Sequence, residues 1–170
     1  MTSNLSFLGL PPEIHLLIAG NLCFPDILYL KMTNTYFYDL IPKLSHSELL
    51  LAEESDYALE RELYTCRYCL RLRPAWRFAD RMHRRRRSLH GRDVHKRFCV
   101  ECGLKPRDDG NARYGPGAQI VIQGCLFVIC IYCKEFGRGA YDRLDRETSE
   151  CERCYQKTRY LEKLQDSRDI

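Results

Sequence analysis

The sequence predicts a mainly α chain that carries a small, irregular α+β domain held together by its cysteines. Two uneven distributions predict it. Of 23 leucines, 13 fall within the first 51 residues, whereas nine of the ten cysteines lie beyond position 65. A leucine-rich front can pack by burial, but a rear module so poor in leucine needs another support. The length of 170 residues suits one compact domain or two small ones and is too short for the larger α/β catalytic classes.

In the front, Pro11 and Pro12 suit a helix start and Gly20 its end, with Ile14, Leu17 and Ile18 at helical spacing. A second helix is expected after Phe24-Pro25-Asp26, through Ile27, Leu28 and Leu30. Thr33-Asn34 breaks it, and Tyr36, Phe37 and Leu40 form a third helix before Pro42. Cys23 reads as part of this module's apolar core. Three helices this short bury little surface on their own, so a partner is expected to complete their packing. Ser45 and Glu48 then have capping-box spacing, and Leu49, Leu50, Ala52, Ala58, Leu59 and Leu63 predict one connecting helix over 45–64 of about five turns. That stretch contains neither glycine nor proline, which predicts a rigid joint.

In the rear, eight cysteines form four pairs of two-residue spacing: Cys66 and Cys69, Cys99 and Cys102, Cys130 and Cys133, Cys151 and Cys154. Two thiolates so spaced can turn round one ion, and two such clips complete a four-sulfur zinc shell with bonds of about 2.3 Å. Eight ligands therefore predict two structural zinc ions. Sequential pairing encloses 29 and then 17 residues and is the expected arrangement; a cross-brace, first clip with third and second with fourth, fits the same spacing. Eight thiolates and two zinc ions bring the formal net charge from +4 to zero, and Arg67, Arg71, Arg73, Lys134 and Arg153 beside the clips suit their negative charge. Between the clips, β-branched and aromatic residues on either side of Gln123-Gly124 predict a hairpin over 119–130, with the spare Cys125 packed inside. Tyr155, Tyr160, Leu161 and Leu164 predict a terminal helix.

Compartment follows from what is absent. Met1–Gly9 lacks the charged start and apolar stretch of a signal peptide. The longest apolar run, Cys125–Cys133, is nine residues, against the ~20 of a membrane span. The expected location is cytoplasm, nucleus or both, where thiols stay reduced and metal binding is favoured over disulfides.

Leu10-Pro11-x-Glu13-Ile14, then Leu22 and Pro25-Asp26-Ile27-Leu28-x-Leu30, then Asn34 with Tyr36 and Phe37, resemble the F-box in order and interval. The rear half looks like the cysteine-rich region that accompanies an F-box in many filamentous-fungal proteins. The residues that carry this likeness are Tyr64-x-Cys66-x-x-Cys69-Leu70-x-Leu72-Arg73-Pro74, Phe78-Ala79-Asp80, Arg97-Phe98-Cys99-x-x-Cys102-Gly103-Leu104-Lys105-Pro106-Arg107 and Tyr114-x-Pro116-Gly117. The resemblance implies a three-helix F-box over 5–44 that docks on the Skp adaptor of a cullin-RING ubiquitin ligase, with Leu10, Pro11, Ile14, Ile18, Leu22 and Ile27 facing the adaptor. It implies a substrate receptor whose cysteine-rich part, 65–156, holds an unknown protein target, followed by a helix or tail over 157–170.

Arg81–Arg97 holds eight Lys or Arg against one Asp. Such a run reads first as a solvated, mobile loop and second as a nuclear-import signal. Third, it reads as an anionic contact through Arg84, Arg85, Arg86 and Arg87. Nucleic-acid binding is thus the alternative function class, although the run has no aromatic residue for base stacking. His83, His90 and His95 lie between clips but are not needed where eight cysteines close both shells. No glycine-rich phosphate loop, serine elbow or open histidine metal site predicts an enzyme. Glu53-Glu54 and Asp108-Asp109 read as solvated helix face and turn.

Overall fold

The computed structural model describes residues 6–107 and 110–166, with side chains as far as 161. Asp108, Asp109 and the side chain of Leu164, read above as turn and helix face, lie outside the described residues. Among those described, seven α-helices accompany two antiparallel sheets, a mixed α+β architecture.

The front begins with a 3-10 turn, Phe7–Gly9, and three helices: α1 (Pro12–Gly20), α2 (Asp26–Met32) and α3 (Thr35–Leu40). Asn34 caps α3 by accepting the Phe37 amide at 2.9 Å. The core they share is small: Ala19, Phe37 and Ile41 are buried, with Ile27, Leu30 and Leu40 packed against them. From α1 only Ala19 and His15 turn fully inward. Phe7 folds back over His15, whose Nε2 donates to the Phe7 carbonyl at 2.8 Å, so Nδ1 accepts from the Tyr36 hydroxyl at 2.8 Å. Cys23, expected in this core, is exposed in the connection between α1 and α2, and the buried positions are taken by Ala19, Phe37 and Ile41.

The expected connecting helix is two helices. α4 (His46–Ala52) starts with the Ser45–Glu48 capping box, and α5 (Asp56–Glu60) starts at Ser55. Ser55 breaks the run by donating to the Ala52 carbonyl at 2.6 Å while accepting the Ala58 amide at 3.3 Å. A side chain serving as both stop and cap competes with a continuous helix. The chain is already extended by Leu63, where β1 (Leu63–Cys66) pairs with β2 (Arg71–Pro74).

Glu53 is not a solvated acid. It is 1% exposed, accepts the Thr65 amide with one oxygen and the Arg97 guanidinium with the other, while Thr65 Oγ1 donates to the Leu49 carbonyl at 3.0 Å. Arg97, the last residue of the basic run, is 0% exposed. This buried pair joins α4 to β1 and to the segment that enters the second clip.

The remaining strands, β3 (Gln119–Ile122), β4 (Cys125–Ile129), β5 (Phe136–Tyr141) and β6 (Glu147–Cys151), form a meander in chain order. The predicted hairpin is β3–β4, turning at Gln123 (φ 49°) and Gly124 (φ 76°), the left-handed pair that a two-residue hairpin turn requires. Cys125 is exposed, since its neighbour Leu126 takes the inward place in the alternation. Two helices begin within clips: the short α6 (Val100–Leu104) and the longer α7 (Glu152–Asp166).

β4 divides the rear interior. Leu126 and Val128 face a cluster with Cys130 and Cys151, whereas Phe127 and Ile129 face another with Cys66, Cys99, Phe78, Met82 and Tyr114. Period-two alternation thus places one strand between two cysteine-centred cores.

The basic run carries short turns along its length. It forms 3-10 turns at Asp80–Met82, Arg85–Arg87 and Val94–Lys96, closed by the Asp93 amide donating to the Arg86 carbonyl at 2.8 Å. Gly91 sits against that backbone, where an added Cβ would lie 2.2 Å from the Arg86 oxygen.

Removing one partner of the Glu53–Arg97 pair strands the other charge without water. Glu53→Ala is expected to lose about 3–5 kcal/mol in urea unfolding, and Glu53→Leu with Arg97→Met to recover most of it. A single-variant loss under about 1 kcal/mol contradicts the pair's role. Gly91→Ala is expected to open the basic segment to limited proteolysis.

Candidate metal centres

Each cysteine group is built from one turn and one helix start. At the end of β1, Cys66 and Cys69 flank a tight turn closed by the Leu70 amide donating to the Cys66 carbonyl at 3.0 Å. After β4, the Lys134 amide makes the same bond to the Cys130 carbonyl at 2.9 Å. Leu70 and Lys134 both adopt the left-handed conformation, with φ of 49° and 60°. The other two clips open helices: Cys99 precedes α6 and Cys151 precedes α7. A helix start presents unpaired amides and positive potential, which favour thiolate.

The structure brings Cys66, Cys69, Cys99 and Cys102 together, and separately Cys130, Cys133, Cys151 and Cys154, with sulfurs all within 4.8 Å of one another in each group. Pairing is therefore sequential. The cross-brace fails because the first two clips share the Phe78–Tyr114 core, while the last two are joined through β5 and β6. In the first group the Cys99 amide donates to Cys66 Sγ at 3.3 Å, and in the second Cys133 and Cys151 sulfurs lie 3.8 Å apart.

Crowded thiols share protons unevenly. The hydrogen bond from Cys99 pushes Cys66 down to about 4, and the same contact pushes Cys99 up. Burial raises Cys102 to about 11. In the second group burial works against ionising Cys130, but the backbone amides of Cys151 and Cys133 outweigh it and bring the thiol down to about 6. Its neighbour Cys154 is raised to about 12, first by the Cys151 thiol. One sulfur in each group is thus poised as thiolate, whereas Cys99, Cys102 and Cys154 hold their protons more tightly and a nearby cation would favour their ionisation. Four soft donors at this separation fit a metal ion, and each group could hold one.

Beside the first group, burial disfavours the Arg73 charge, but the Cys69 sulfur and Glu101 outweigh it and raise its pKa. Glu101 also bridges Arg73 at 3.3 Å and Arg77 at 2.6 Å. Asp80 ties the surroundings of the first group to the four-stranded sheet: its carboxylate accepts the Gln123 amide at 2.8 Å and the Gly124 amide at 3.1 Å, capping the β3–β4 turn. No histidine joins either cysteine group among the described residues. His83 instead lies 4.0 Å from Asp80, and burial lowers its pKa.

The other sequence-predicted residues are scattered in burial. Pro11 and Ile14 are exposed, Leu10, Ile18 and Leu22 are half-buried, and Ile27 packs against the front core. Arg84 donates to Asp80 at 3.2 Å, Arg85 and Arg86 are exposed, and Arg87 turns inward to Met82 Sδ at 3.3 Å. Arg67 and Arg113, which no spacing pattern singled out as anion contacts, lie with Arg81 and Arg87 around one cleft. Among the described residues, no helix is long and apolar enough to cross a membrane. No protein-family model matches the chain, nor does any curated protein or solved structure.

Ligation requires Cys102 and Cys154 to give up protons held well above the ordinary thiol range. Metal uptake is therefore expected to release protons and to tighten as pH rises. Calorimetric titration in two buffers of different ionisation enthalpy measures this; uptake without proton release contradicts it.

Proposed function

We propose that this chain is a non-catalytic F-box subunit of a Skp-cullin-F-box ubiquitin ligase, acting as a substrate receptor whose rear half is organised by two zinc ions. The exposed apolar side chains of α1 and of the turn before it carry the reading. Leu8 is 62% exposed, Ile14 40%, Leu16 41% and Leu17 64%, while the front core draws only Ala19 from this helix as an apolar member. An amphipathic helix normally turns such residues inward, and apolar side chains left outward in this number suit a docking face. The F-box-like positions Leu10, Pro11 and Ile14 lie on this part of the chain, at or next to that surface.

Zinc suits the four-thiolate donor sets, through Cys66, Cys69, Cys99 and Cys102 at one site and Cys130, Cys133, Cys151 and Cys154 at the other. Bound there, it supplies cross-links and charge neutralisation. With all four positions filled by sulfur, no position is left for water or substrate, so the role is structural and ubiquitin transfer belongs to the assembled ligase. The cytoplasm or nucleus is the location consistent with this chemistry.

A second reading, nucleic-acid contact through the basic run, is favoured by the side-by-side exposure of Arg84, Arg85 and Arg86.

Leu10→Ala with Ile14→Ala is expected to lower capture of purified Skp adaptor at least about tenfold, because a few apolar anchors supply most of an interface's affinity. Metal content and thermal unfolding should be unchanged, since neither residue belongs to a buried core cluster. Capture by the double variant equal to that of the parent chain overturns these contacts.

A further inference from the structure

A cleft of about 370 Å³ lies beside the first cysteine group, and five cations line it: Arg67, Arg81, Arg87, Lys96 and Arg113. They come from the first clip's turn, the three 3-10 turns of the basic run, and the segment after α6. Bringing like charges together from separate parts of the chain costs repulsion, which an anion offsets.

The way these side chains are held is informative. Elsewhere in the rear half, Arg73, Arg77, Arg84, Arg97 and Arg146 are fixed by carboxylates, although Arg107 lies over the Tyr68 ring and Arg159 Nε donates to the Tyr155 hydroxyl. In the cleft the four arginines are fixed by neutral groups. Arg113 Nε donates to the Tyr68 hydroxyl at 2.9 Å, and Arg67 lies 5.3 Å from the Tyr68 ring. Arg81 lies 5.3 Å from the Tyr114 ring, and Arg87 donates to Met82 Sδ at 3.3 Å. Only Lys96 pairs with an acid, Asp93, at 2.8 Å. Among the described residues no carboxylate lines the cleft. Orientation is thus provided without neutralisation, leaving guanidinium N–H groups for a ligand.

We propose that this cleft is a binding site for a phosphate monoester, whose dianionic head and three terminal oxygens match several converging guanidiniums. The source is either a phosphorylated side chain of a protein or a small free phosphate. Single-stranded nucleic acid fits less well, because it needs a free aromatic face. Tyr68 has Arg67 and Arg107 over its ring, the latter at 4.1 Å, and Phe98 is buried. The site is separate from the α1 surface and stands without the adaptor reading.

The test is fluorescence anisotropy on the purified full chain. The probe is a labelled peptide library with one fixed phosphoserine in degenerate flanks, compared with its unphosphorylated counterpart. Competitors are inorganic phosphate, free phosphoserine and a single-stranded oligonucleotide. The phosphorylated library is expected to bind at least about tenfold tighter than the unphosphorylated one. Arg87→Ala with Arg113→Ala should lose about that factor, and Arg87→Lys with Arg113→Lys, which keeps charge but not the planar fork, should fall between. If the alanine pair does not fold, the lysine pair alone decides: affinity equal to the parent chain counts against the site. Displacement by free phosphoserine at matching concentration identifies a small phosphate as the source; its failure to compete identifies a phosphoprotein. Equal binding of the two libraries overturns the proposal, as does tighter binding of the oligonucleotide that is lost in the same variants.

Discussion

Eight sulfurs in two groups, each with its members within 4.8 Å of one another, are the constraint on which the rear half depends. Thiols at that spacing cannot all ionise unaided, and left protonated they make a poor interior, so the arrangement makes physical sense around a cation. The two groups lie on opposite faces of β4, the first within a cluster that includes Phe78, Met82 and Tyr114 and the second within a small one with Leu126 and Val128. Side chains such as Phe78, Tyr114 and Val128 pack outward from the sulfur groups, much as a larger domain packs round aliphatic residues.

Polar links then join what the sulfurs organise. The buried Glu53–Arg97 pair connects α4 to the first group, and Asp80 connects that group's neighbourhood to the β3–β4 turn. Burying an ion pair adds little net stability, but a lone partner is costly, so such links favour one assembly over near alternatives. The same reasoning separates the cations of the basic run. Arg97 and Arg84 serve the fold through carboxylates, whereas Arg81 and Arg87 are held by an aromatic ring and a thioether and keep their charge available.

Local chemistry made part of this legible in the sequence. Asn34 and the Ser45–Glu48 box cap helices as their residue types require, and Gln123-Gly124 turns the hairpin its flanking β-branched residues demand. The two-residue spacing of the cysteines identified the eight candidate ligands, though not which clips share a site. Long-range contacts were not legible. Glu53 meets Arg97 across 44 positions, and nothing beside either residue distinguishes it from a surface charge. Ser55 reads equally well as helix interior or cap until its neighbours are placed. β5, Phe136-Gly-Arg-Gly-Ala-Tyr141, has two glycines in six residues and resembles a loop; it becomes a strand by lying between β4 and β6. Clip pairing likewise required the positions of β5 and β6, because chain spacing admits two solutions.

The claim that sulfur–metal bonding replaces a conventional interior in the rear half is tested most directly by mass spectrometry of the gently purified, reduced full chain under non-denaturing conditions. Circular dichroism follows chelation. The account predicts a mass increment for two bound zinc ions, and loss of the folded spectrum from the sheet-containing half once they are stripped. A chain that carries no metal, or that keeps its folded spectrum after verified metal removal, contradicts it.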